Sequence, residues 1–494
     1  MEKINNKKLL LINLPGDSIR KPEEHCGLAF LKAFIEKNKI ETEILDAYAL
    51  HLTLQETLIK LNNWIEKNKK DILFIGISPF VTSHESFVTV GEFIRKKEKK
   101  CYIFAGGHYA SLNREILITK YKWLDAIIVG EGELTLLEFI YKGLNKNIPG
   151  LYIGQSREEF IQRERIKNLD ELPFQSRYLL ADQLDGQPMT ITTSRGCYGD
   201  CSFCSISSFY KMNGEIKQTF RSADSVAEEI KMLVKNYRID SLKIVDDNFF
   251  RDNSDSFLEE LSNKIANLKL SIRLSARPND ITENRARLLK KMGATIIGIG
   301  AESADKKSLK FFNKGIEIDS SDKAIELLNK NRITCLVNYI MFNPIIDLKG
   351  LEKNLKFVDK YKHNAVFHRI NSHLWIRSTD PLVTKLIDYG LCDNIGFPYV
   401  ECRYADGNVY QIMKLFDKWC NHNMNEYYEN VDILMAKGII GNEKYEKVYR
   451  KILCEDIKIL NRLIKFANQN ELAKEGEKFI SMCLEQDKYI NMGE

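Results

Sequence analysis

Short apolar runs alternate with amphipathic stretches along the first 145 residues. The stretches carry apolar residues at helical spacing, as in LAFLKAFIEK, where Leu28, Leu31, Phe34 and Ile35 recur on one face. The apolar runs have the length of buried strands and cover residues 9–14, 42–47, 72–78, 101–107 and 125–132. This alternation predicts a parallel, doubly wound α/β sheet of the Rossmann type, with ligands at the carboxyl ends of its strands.

A second alternating series begins near residue 188. In the helical stretch SVAEEIKMLVKNY, we expect Ser225 and Glu228 to form a capping box at the start of the helix. The apolar runs of the series are residues 189–196, 241–248, 271–278, 295–303, 335–343 and 365–373. Six βα units in sequence predict a barrel or partial barrel, with its chemistry at the carboxyl ends of the strands.

Beyond residue 405 the strand pattern fades, and VYQIMKLFDKWC and YEKVYRKILCEDIKILNRLIKFANQ have the spacing of amphipathic helices. We therefore predict four regions in this chain. They are a doubly wound domain over residues 1–145, a linker over 146–187, a βα barrel over 188–385 and a mainly helical C-terminal region over 386–494.

Composition narrows the range of partners. Lys plus Arg (73) exceed Asp plus Glu (68) by only five, and the dense basic run RKKEKK fits a solvated helix end, so we do not expect nucleic-acid binding. The apolar stretch before Pro15 is too short for a signal peptide, and no run reaches transmembrane length. We expect a cytoplasmic protein, without a membrane partner, whose thiols stay reduced.

Three of the eleven cysteines stand within eight positions, in the stretch SRGCYGDCSFC. Cys197, Cys201 and Cys204 have the spacing C-x₃-C-x₂-C in a loop that contains two glycines. Three protein ligands on a four-iron cluster leave one iron open to bind a substrate or cofactor. A structural zinc site is the alternative, but it needs a fourth ligand, and none stands in local register. The other eight cysteines are scattered singly, and we expect most of them to be small buried hydrophobic residues.

This motif resembles the signature of radical S-adenosylmethionine (SAM) enzymes, with Phe203 in the aromatic position before the third cysteine. The resemblance implies a [4Fe–4S] cluster on the three cysteines and reductive cleavage of SAM to a 5′-deoxyadenosyl radical. It also implies SAM contacts at the strand ends. Asp246, Asp247 and Asn248 would approach the methionine amino group, Arg277 the carboxylate, and Glu302 and Ser303 the ribose. Asn343 stands where the family usually has a Gly-x-Pro turn near the adenine, so this sequence departs from the pattern there. For Arg277 a structural salt bridge is the alternative.

A doubly wound domain before such a core resembles the cobalamin-binding subclass, the class B methyltransferase-like enzymes. Ser78 in GISPF stands at the place of the Ser-x-Leu motif, and the subclass has loops like AGGHYAS, with Gly106, Gly107 and His108, and VGEGE, with Glu131. The resemblance implies that cobalamin packs here, with small residues making room for its dimethylbenzimidazole tail and His108 as a tail or amide contact.

The cobalt-binding histidine motif of methionine synthase, Asp-x-His-x-x-Gly, is missing, because Asp17 and His25 are too far apart in sequence. The resemblance then implies base-off cobalamin without a protein ligand. The alternative is a domain that has lost cobalamin.

Taken together, these features predict a cobalamin-dependent radical SAM enzyme that methylates an unactivated carbon, with a flavodoxin- or ferredoxin-type reductant. A non-methylating rearrangement, cyclisation or ring contraction is the alternative reaction, and an iron–sulfur electron carrier or sensor is the alternative of another class. RNA-modifying relatives normally carry further cysteines that this sequence lacks. The substrate is a small molecule or a peptide. Candidate substrate-facing residues are His368, Asn371, His373, Trp375, Arg377, Tyr404 and Asp406.

Overall fold

A computed structural model of the chain describes residues 6–16, 23–179, 188–212, 217–251, 255–393 and 395–491. The chain divides into two compact units. The first comprises Met1–Tyr198 and Cys204–Asp247, and the second comprises Gly199–Phe203 and Asn248–Glu494. Asp17, considered above for a cobalt-ligand motif, lies outside the described residues.

Within the described ranges the fold comprises strands and helices that alternate up to residue 388 and helices alone after residue 407. The strands are β1 (Lys7–Asn13), β2 (Glu41–Asp46), β3 (Ile72–Ser78), β4 (Tyr102–Ala105), β5 (Ala126–Ile128), β6 (Leu151–Tyr152), β7 (Met189–Ile191), β8 (Ser194–Gly196), β9 (Gln218–Phe220), β10 (Ser241–Ile244), β11 (Ser271–Ala276), β12 (Ala294–Glu302), β13 (Thr334–Tyr339) and β14 (Val366–Phe367). The helices are α1 (Cys26–Lys37), α2 (Leu54–Asn68), α3 (His84–Lys97), α4 (Gly107–Leu112), α5 (Arg114–Lys120), α6 (Glu133–Lys142), α7 (Ser205–Lys211), α8 (Ala223–Tyr237), α9 (Asp255–Ile265), α10 (Glu283–Met292), α11 (Lys306–Phe311), α12 (Ile318–Lys330), α13 (Leu348–Tyr361), α14 (Leu382–Asp388), α15 (Gly407–His422), α16 (Met424–Lys437), α17 (Glu443–Asn468) and α18 (Leu472–Asn491).

The N-terminal sheet of the first unit has the strand order β2-β1-β3-β4-β5-β6 and is parallel except for β6, which pairs antiparallel with β5. Strand β3 has the bounds that its apolar run predicted. Phe74, Phe104 and Phe139 pack in the core on one side of this sheet. The order reverses at β1 and β3, whose carboxyl ends lead into His25 and Ser78. The predicted Rossmann-like fold is confirmed.

The cysteine motif follows a more complex stretch than the sequence predicted. The single predicted strand over residues 189–196 is two strands: β7 pairs parallel with β10, and β8 pairs antiparallel with β9. Gly196 has φ +93°, and a Cβ there would lie 2.1 Å from the carbonyl oxygen of Lys217, so only glycine fits this close approach. The predicted capping box was also wrong, because α8 begins earlier and Ser222 accepts from the Ser225 N–H as the N-cap.

In the second unit β11, β12, β13 and β14 pair in sequential order, all parallel, and helices separate them along the chain. The last predicted strand, residues 365–373, is much shorter than its apolar run. The C-terminal helices α15, α16 and α18 pack against α17, which confirms the predicted helical region. A buried ion pair, Arg369 with Asp456 at 2.8 Å, joins α17 to the segment after β14. No described helix is both long and apolar enough to span a bilayer.

Candidate functional site

Asp246 anchors the stretch that leads into the cysteine loop. Its carboxylate accepts the backbone N–H groups of Thr193, at 2.7 Å, and Ser194, at 3.1 Å, and also both of their hydroxyl groups. Burial raises the pKa of Asp246 to about 6, although these hydrogen bonds favour the ionised form. With its oxygens on these donors, Asp246 fixes the backbone just before the cysteines.

Asp247, the next residue, makes fewer hydrogen bonds than Asp246. One carboxylate oxygen accepts the Gly196 N–H at 2.9 Å, directly before Cys197. Part of the residue is exposed at the surface, but burial of the carboxyl group raises its pKa to about 6, as it does for Asp246. A carboxylate beside the cysteine loop suits the predicted contact with the amino group of SAM, which remains a prediction.

An ionic network joins the loop after β5 to the same stretch. Arg195 donates to Glu133 at 2.6 Å and lies 3.7 Å from Glu131. Glu131 is buried and accepts the Ile166 N–H at 2.8 Å, while Arg165 donates to the Arg195 carbonyl oxygen at 3.0 Å. The carboxylate of Glu131, a predicted cobalamin contact, thus serves the protein's own backbone and arginines.

In the second unit a buried guanidinium lies against a cysteine. Arg277 Nη1 donates to Cys201 Sγ at 3.5 Å, and Nη2 donates to the carbonyl oxygen of Lys314. The Lys314 ammonium in turn pairs with Glu302 at 2.9 Å, and both side chains are buried. A guanidinium donor beside this sulfur stabilises the negative charge that a cluster-bound cysteine carries. The sequence singled out Arg277 and Glu302 but missed Lys314, because its partners come from strands distant in sequence.

The backbone at Glu302 is unusual. This residue has φ +61°, in the left-handed region, where β12 has a register shift against β13. Non-glycine residues in this conformation cluster at functional sites. The feature is consistent with the predicted role of Glu302 in ribose binding, a role that stays a prediction.

Three other predicted SAM contacts have protein partners. Asn248 accepts the Arg277 N–H at 3.1 Å and donates to the Phe250 carbonyl oxygen at 2.8 Å. The Ser303 hydroxyl donates to Asn354 at 2.9 Å. Asn343 is fully buried, donates to the Ser308 hydroxyl and accepts the Ile345 N–H. The Asn343 carbonyl oxygen accepts the Ile346 N–H as well, so the predicted contact with adenine stays a prediction.

The remaining part of the cysteine loop in the second unit is held through its backbone. Ser202 N–H donates to the Phe312 carbonyl oxygen at 2.8 Å, and Leu382 N–H donates to the Ser202 carbonyl oxygen at 3.0 Å. The Phe203 ring packs edge-on against Phe312 at 5.3 Å, while the Phe203 carbonyl oxygen accepts from Arg377. Phe203, predicted to accompany the cluster, thus has a fixed position, and Arg377 is one of its supports.

At the carboxyl edge of the N-terminal sheet, His25 lies beside Ser78. Its Nδ1 accepts the Leu28 N–H at 3.2 Å, so a neutral ring carries its proton on Nε2 and donates to Ser78 Oγ at 3.1 Å. Burial lowers the pKa of His25, which favours this neutral form. Tyr178 accepts the His25 N–H and donates to Asp46, both at 2.6 Å. Sequence spacing could not bring His25 to Ser78, because they follow different strands.

The loop after β4 leaves room for a small side-chain atom at ordinary contact distances. A Cβ at Gly106 would have no atom nearer than 3.8 Å, whereas Gly107 has φ +86° and would place a Cβ 3.4 Å from Ser78 Oγ. His108, one residue on, is half-buried and packs on the Phe209 ring at 4.1 Å. Phe209 belongs to α7, the helix that begins directly after Cys204.

Of the predicted substrate-facing residues, one caps a helix and most of the others lie among aromatic and polar side chains of the second unit. Asp406 caps α15 by accepting the N–H groups of Asn408 and Val409, a structural role. Trp375 is 56% exposed, stacks on His373 and meets Tyr399 edge-on. Asn371 donates to Asp417 at 2.9 Å. Tyr404 donates to the Met413 sulfur at 3.1 Å, and His368 is half-buried.

The donor set fits an iron–sulfur cluster. Cys197, Cys201 and Cys204 form no disulfide, and a cationic donor lies beside the second. Among the described residues, no three Cys, His, Asp or Glu side chains converge on a single metal-ion position. Convergence on one point is not what a cluster needs, because each cysteine binds a different iron atom.

Comparison with known proteins identifies the class. Residues 191–355 match the family model of the Radical SAM superfamily, a range that starts at the end of β7 and includes all three cysteines. Residues 191–355 therefore form a radical SAM domain, as the resemblance of the cysteine motif implied, and such a domain implies a [4Fe–4S] cluster and SAM.

Relatives refine this class. An uncharacterised methyltransferase from Pyrococcus horikoshii is 29% identical over 404 residues, covering 78% of this chain and 84% of its own. An anaerobic magnesium-protoporphyrin IX monomethyl ester cyclase from Synechocystis sp. is 23% identical, covering 74% and 76%. The structure of OxsB, a cobalamin-dependent radical SAM enzyme with aqua-cobalamin and SAM bound, matches 98% of this chain and 75% of its own. That match has a TM-score of 0.75 at 17% identity, so it establishes the fold alone.

Proposed function

We propose that this protein is a cobalamin-dependent radical SAM methyltransferase that acts on an unactivated carbon of a natural-product or peptide substrate. The observation that carries the cobalamin part is the open loop at Gly106 and Gly107, beside Ser78 at the carboxyl edge of the sheet. Ligands of doubly wound sheets bind at this edge. The similarity to a methyltransferase over most of both chains supports the reaction class.

When bound, the cluster and cobalamin would supply the electron that cleaves SAM and the methyl group that is transferred. The chain's own residues hold and orient these groups. Cys197, Cys201 and Cys204 would bind three irons, and Arg277 would stabilise negative charge at the Cys201 sulfur. Asp247 would bind the amino group of SAM. Because His25 donates its Nε2 proton to Ser78, we propose that it leaves cobalt without a histidine ligand.

A non-methylating radical cyclisation is the second candidate. The similarity to the Synechocystis cyclase, which extends over three quarters of both chains, favours it specifically. In either reaction we expect a one-electron donor of the flavodoxin or ferredoxin type, since SAM cleavage consumes one electron.

The first experiment measures cofactor content. The protein is reconstituted without oxygen, with iron, sulfide and cobalamin, and we expect about four iron, four sulfide and one cobalt per chain. Cys197→Ala, Cys201→Ala and Cys204→Ala should each lose most of the iron, whereas Cys335→Ala, at a buried position in β13, should keep it. Full iron in the three motif variants would refute the cluster assignment, and absence of cobalt would refute the cobalamin assignment.

A matched pair of variants tests whether the loop after β4, with Gly106 and Gly107, binds cobalamin. Gly106→Ala places a methyl group where the protein leaves room, so its thermal stability should match the wild type, but cobalt per chain should fall several-fold. Gly407→Ala, where a Cβ meets nothing within 4 Å, is the control and should retain cobalt. Unchanged cobalt in Gly106→Ala would remove this loop from the proposed site.

The reaction is tested with SAM labelled in its methyl group. Label in the product, together with 5′-deoxyadenosine, supports methyl transfer. An unlabelled, cyclised or rearranged product formed with 5′-deoxyadenosine favours the second candidate.

A further inference from the structure

Two cysteines outside the candidate site lie against each other in the second unit. The thiols of Cys392 and Cys402 are hydrogen-bond partners. Cys392 is 3% exposed within an apolar cluster, and Cys402 packs partly buried against the same cluster. We propose that Cys392 and Cys402 form a redox-active pair that closes into a disulfide, an inference that does not depend on the proposed function.

The backbone around the pair favours closure. Arg403 N–H donates to the Leu391 carbonyl oxygen at 2.8 Å, so the two segments lie side by side and residues 392 and 402 are the next facing pair. Facing residues of paired antiparallel segments have Cα atoms about 4.5–5.5 Å apart, within the range that a disulfide spans. The Arg403 guanidinium also binds Asp393, at 2.7 Å, and holds the ends of the loop together. Closure therefore needs little movement of the backbone.

Closure proceeds by exchange with a small disulfide of the glutathione class. The thiolate of Cys402, the more exposed of the two cysteines, attacks it and releases one small thiol; the Cys392 sulfur then displaces the other. The protein pair loses two electrons and two protons, and the small disulfide becomes two thiols. Burial raises the pKa of Cys402 to about 12, so attack is slow at neutral pH and accelerates as pH rises. A high-pKa thiol is also a poor leaving group, so the disulfide resists reduction once formed.

A disulfide between Cys392 and Cys402 would affect the segment that supports Phe203. Val400 N–H donates to the Ile376 carbonyl oxygen at 3.0 Å, and the neighbouring Arg377 donates to the Phe203 carbonyl oxygen. Phe203 also packs against the apolar cluster that contains the two cysteines. A disulfide would fasten the segment that supports Phe203, next to the third cysteine of the motif.

The test is a peptide map of the full-length protein equilibrated in glutathione buffers from fully reduced to fully oxidised. Free thiols are alkylated in denaturant, and the digest is analysed by mass spectrometry. We expect a Cys392–Cys402 linked peptide, two hydrogens lighter than its reduced form, to accumulate as the buffer becomes more oxidising. Its rate of formation should rise about tenfold per pH unit between pH 7 and 9, since the thiolate fraction rises in that proportion. Alkylation of both cysteines in the most oxidising buffer would overturn the proposal, as would glutathione on Cys402 alone.

Variants check the assignment. Cys392→Ser and Cys402→Ser should each abolish the linked peptide, whereas Cys335→Ser, at a single buried cysteine, should leave it intact. A second readout on the wild type needs no variant: the oxidised protein should be cut more slowly by protease within residues 390–403 than the reduced protein. Equal cleavage of the two forms would show that the pair does not fasten this segment.

Discussion

The two parts of the cysteine motif are held by groups of opposite charge. In the first unit the carboxylates of Asp246 and Asp247 accept backbone N–H groups just before Cys197. In the second unit the guanidinium of Arg277 donates to the sulfur of Cys201 itself. A carboxylate that binds backbone amides fixes the path of the chain, whereas a cation beside a sulfur changes the energy of the charge on it. The carboxylates of the first unit therefore fix the position of the backbone before Cys197, and the guanidinium of the second unit stabilises negative charge on the Cys201 sulfur.

The largest effect on stability is expected from the ion pair between Lys314 and Glu302, since Arg277 donates to the Lys314 carbonyl oxygen. Lys314→Met leaves the buried Glu302 carboxylate without its ammonium partner and should lower the apparent free energy of unfolding by about 3–5 kcal/mol. Urea unfolding of the protein measures it. The double variant Lys314→Met with Glu302→Gln should recover much of the loss, because no charge is then left unpaired. A double variant as unstable as the single would show that the pair acts through packing instead.

The next effect tests the positional role of Asp246. Asp246→Ala removes the acceptor of two backbone N–H groups and two hydroxyl groups, all buried, and should cost about 3 kcal/mol in the same assay. Asp247→Ala is the matched control, because this side chain accepts a single N–H group, from Gly196, and it should cost about 1 kcal/mol. Equal losses would contradict the distinction between the two neighbours.

Variants of Arg277 test whether its positive charge raises the reduction potential of the cluster. Arg277→Gln removes a positive charge beside Cys201, so the reconstituted cluster should be harder to reduce, and its reduction potential should fall by tens of millivolts. Potentiometric titration followed by electron paramagnetic resonance measures the shift. Arg277→Lys should restore part of it, and Asp246→Glu, which keeps a carboxylate on the backbone side, should shift it less. An unchanged reduction potential in Arg277→Gln would show that the Arg277 charge does not act on the cluster.

The smallest effect is a pH dependence. The pKa of Asp246 is raised from 3.8 to about 6, so the folded state holds its proton more tightly than the unfolded state. The stability that this residue contributes is complete below about pH 4 and is lost as pH rises through about 6. The thermal midpoint of the wild type should therefore fall more between pH 5 and pH 7.5 than that of Asp246→Ala. Identical slopes would mean that Asp246 does not titrate in this range.

The sequence predicted local features well where a short pattern sufficed. The alternation of apolar runs and helical stretches predicted the order of elements, and β3 has the predicted bounds. Boundaries failed where a partner distant in sequence decides them. The run before Cys197 divides because β8 pairs with β9, and the N-cap of helix α8 is Ser222 instead of Ser225.

The candidate site residues also divide into those that the sequence identified and those whose partners only the fold reveals. The family resemblance was enough to single out Asp246, Asp247 and Arg277, which follow strands β10 and β11. It did not reveal that Glu131, Asn248 and Asn343 bind the protein's own groups, since those partners follow other strands. The cysteines at 392 and 402 were expected to be single buried residues, and the fold brings them into contact.

The sequence by itself determined the chemistry of the motif: three thiols at C-x₃-C-x₂-C spacing, after a strand, predict an iron–sulfur cluster with one open iron, and the motif resembles the radical SAM signature. This information is local because a short loop carries all three cluster ligands. Only the tertiary structure decided which charges surround that loop, that His25 donates to Ser78 and that Lys314 pairs with Glu302. Such contacts join residues from separate strands, and they depend on packing and burial that no local pattern encodes.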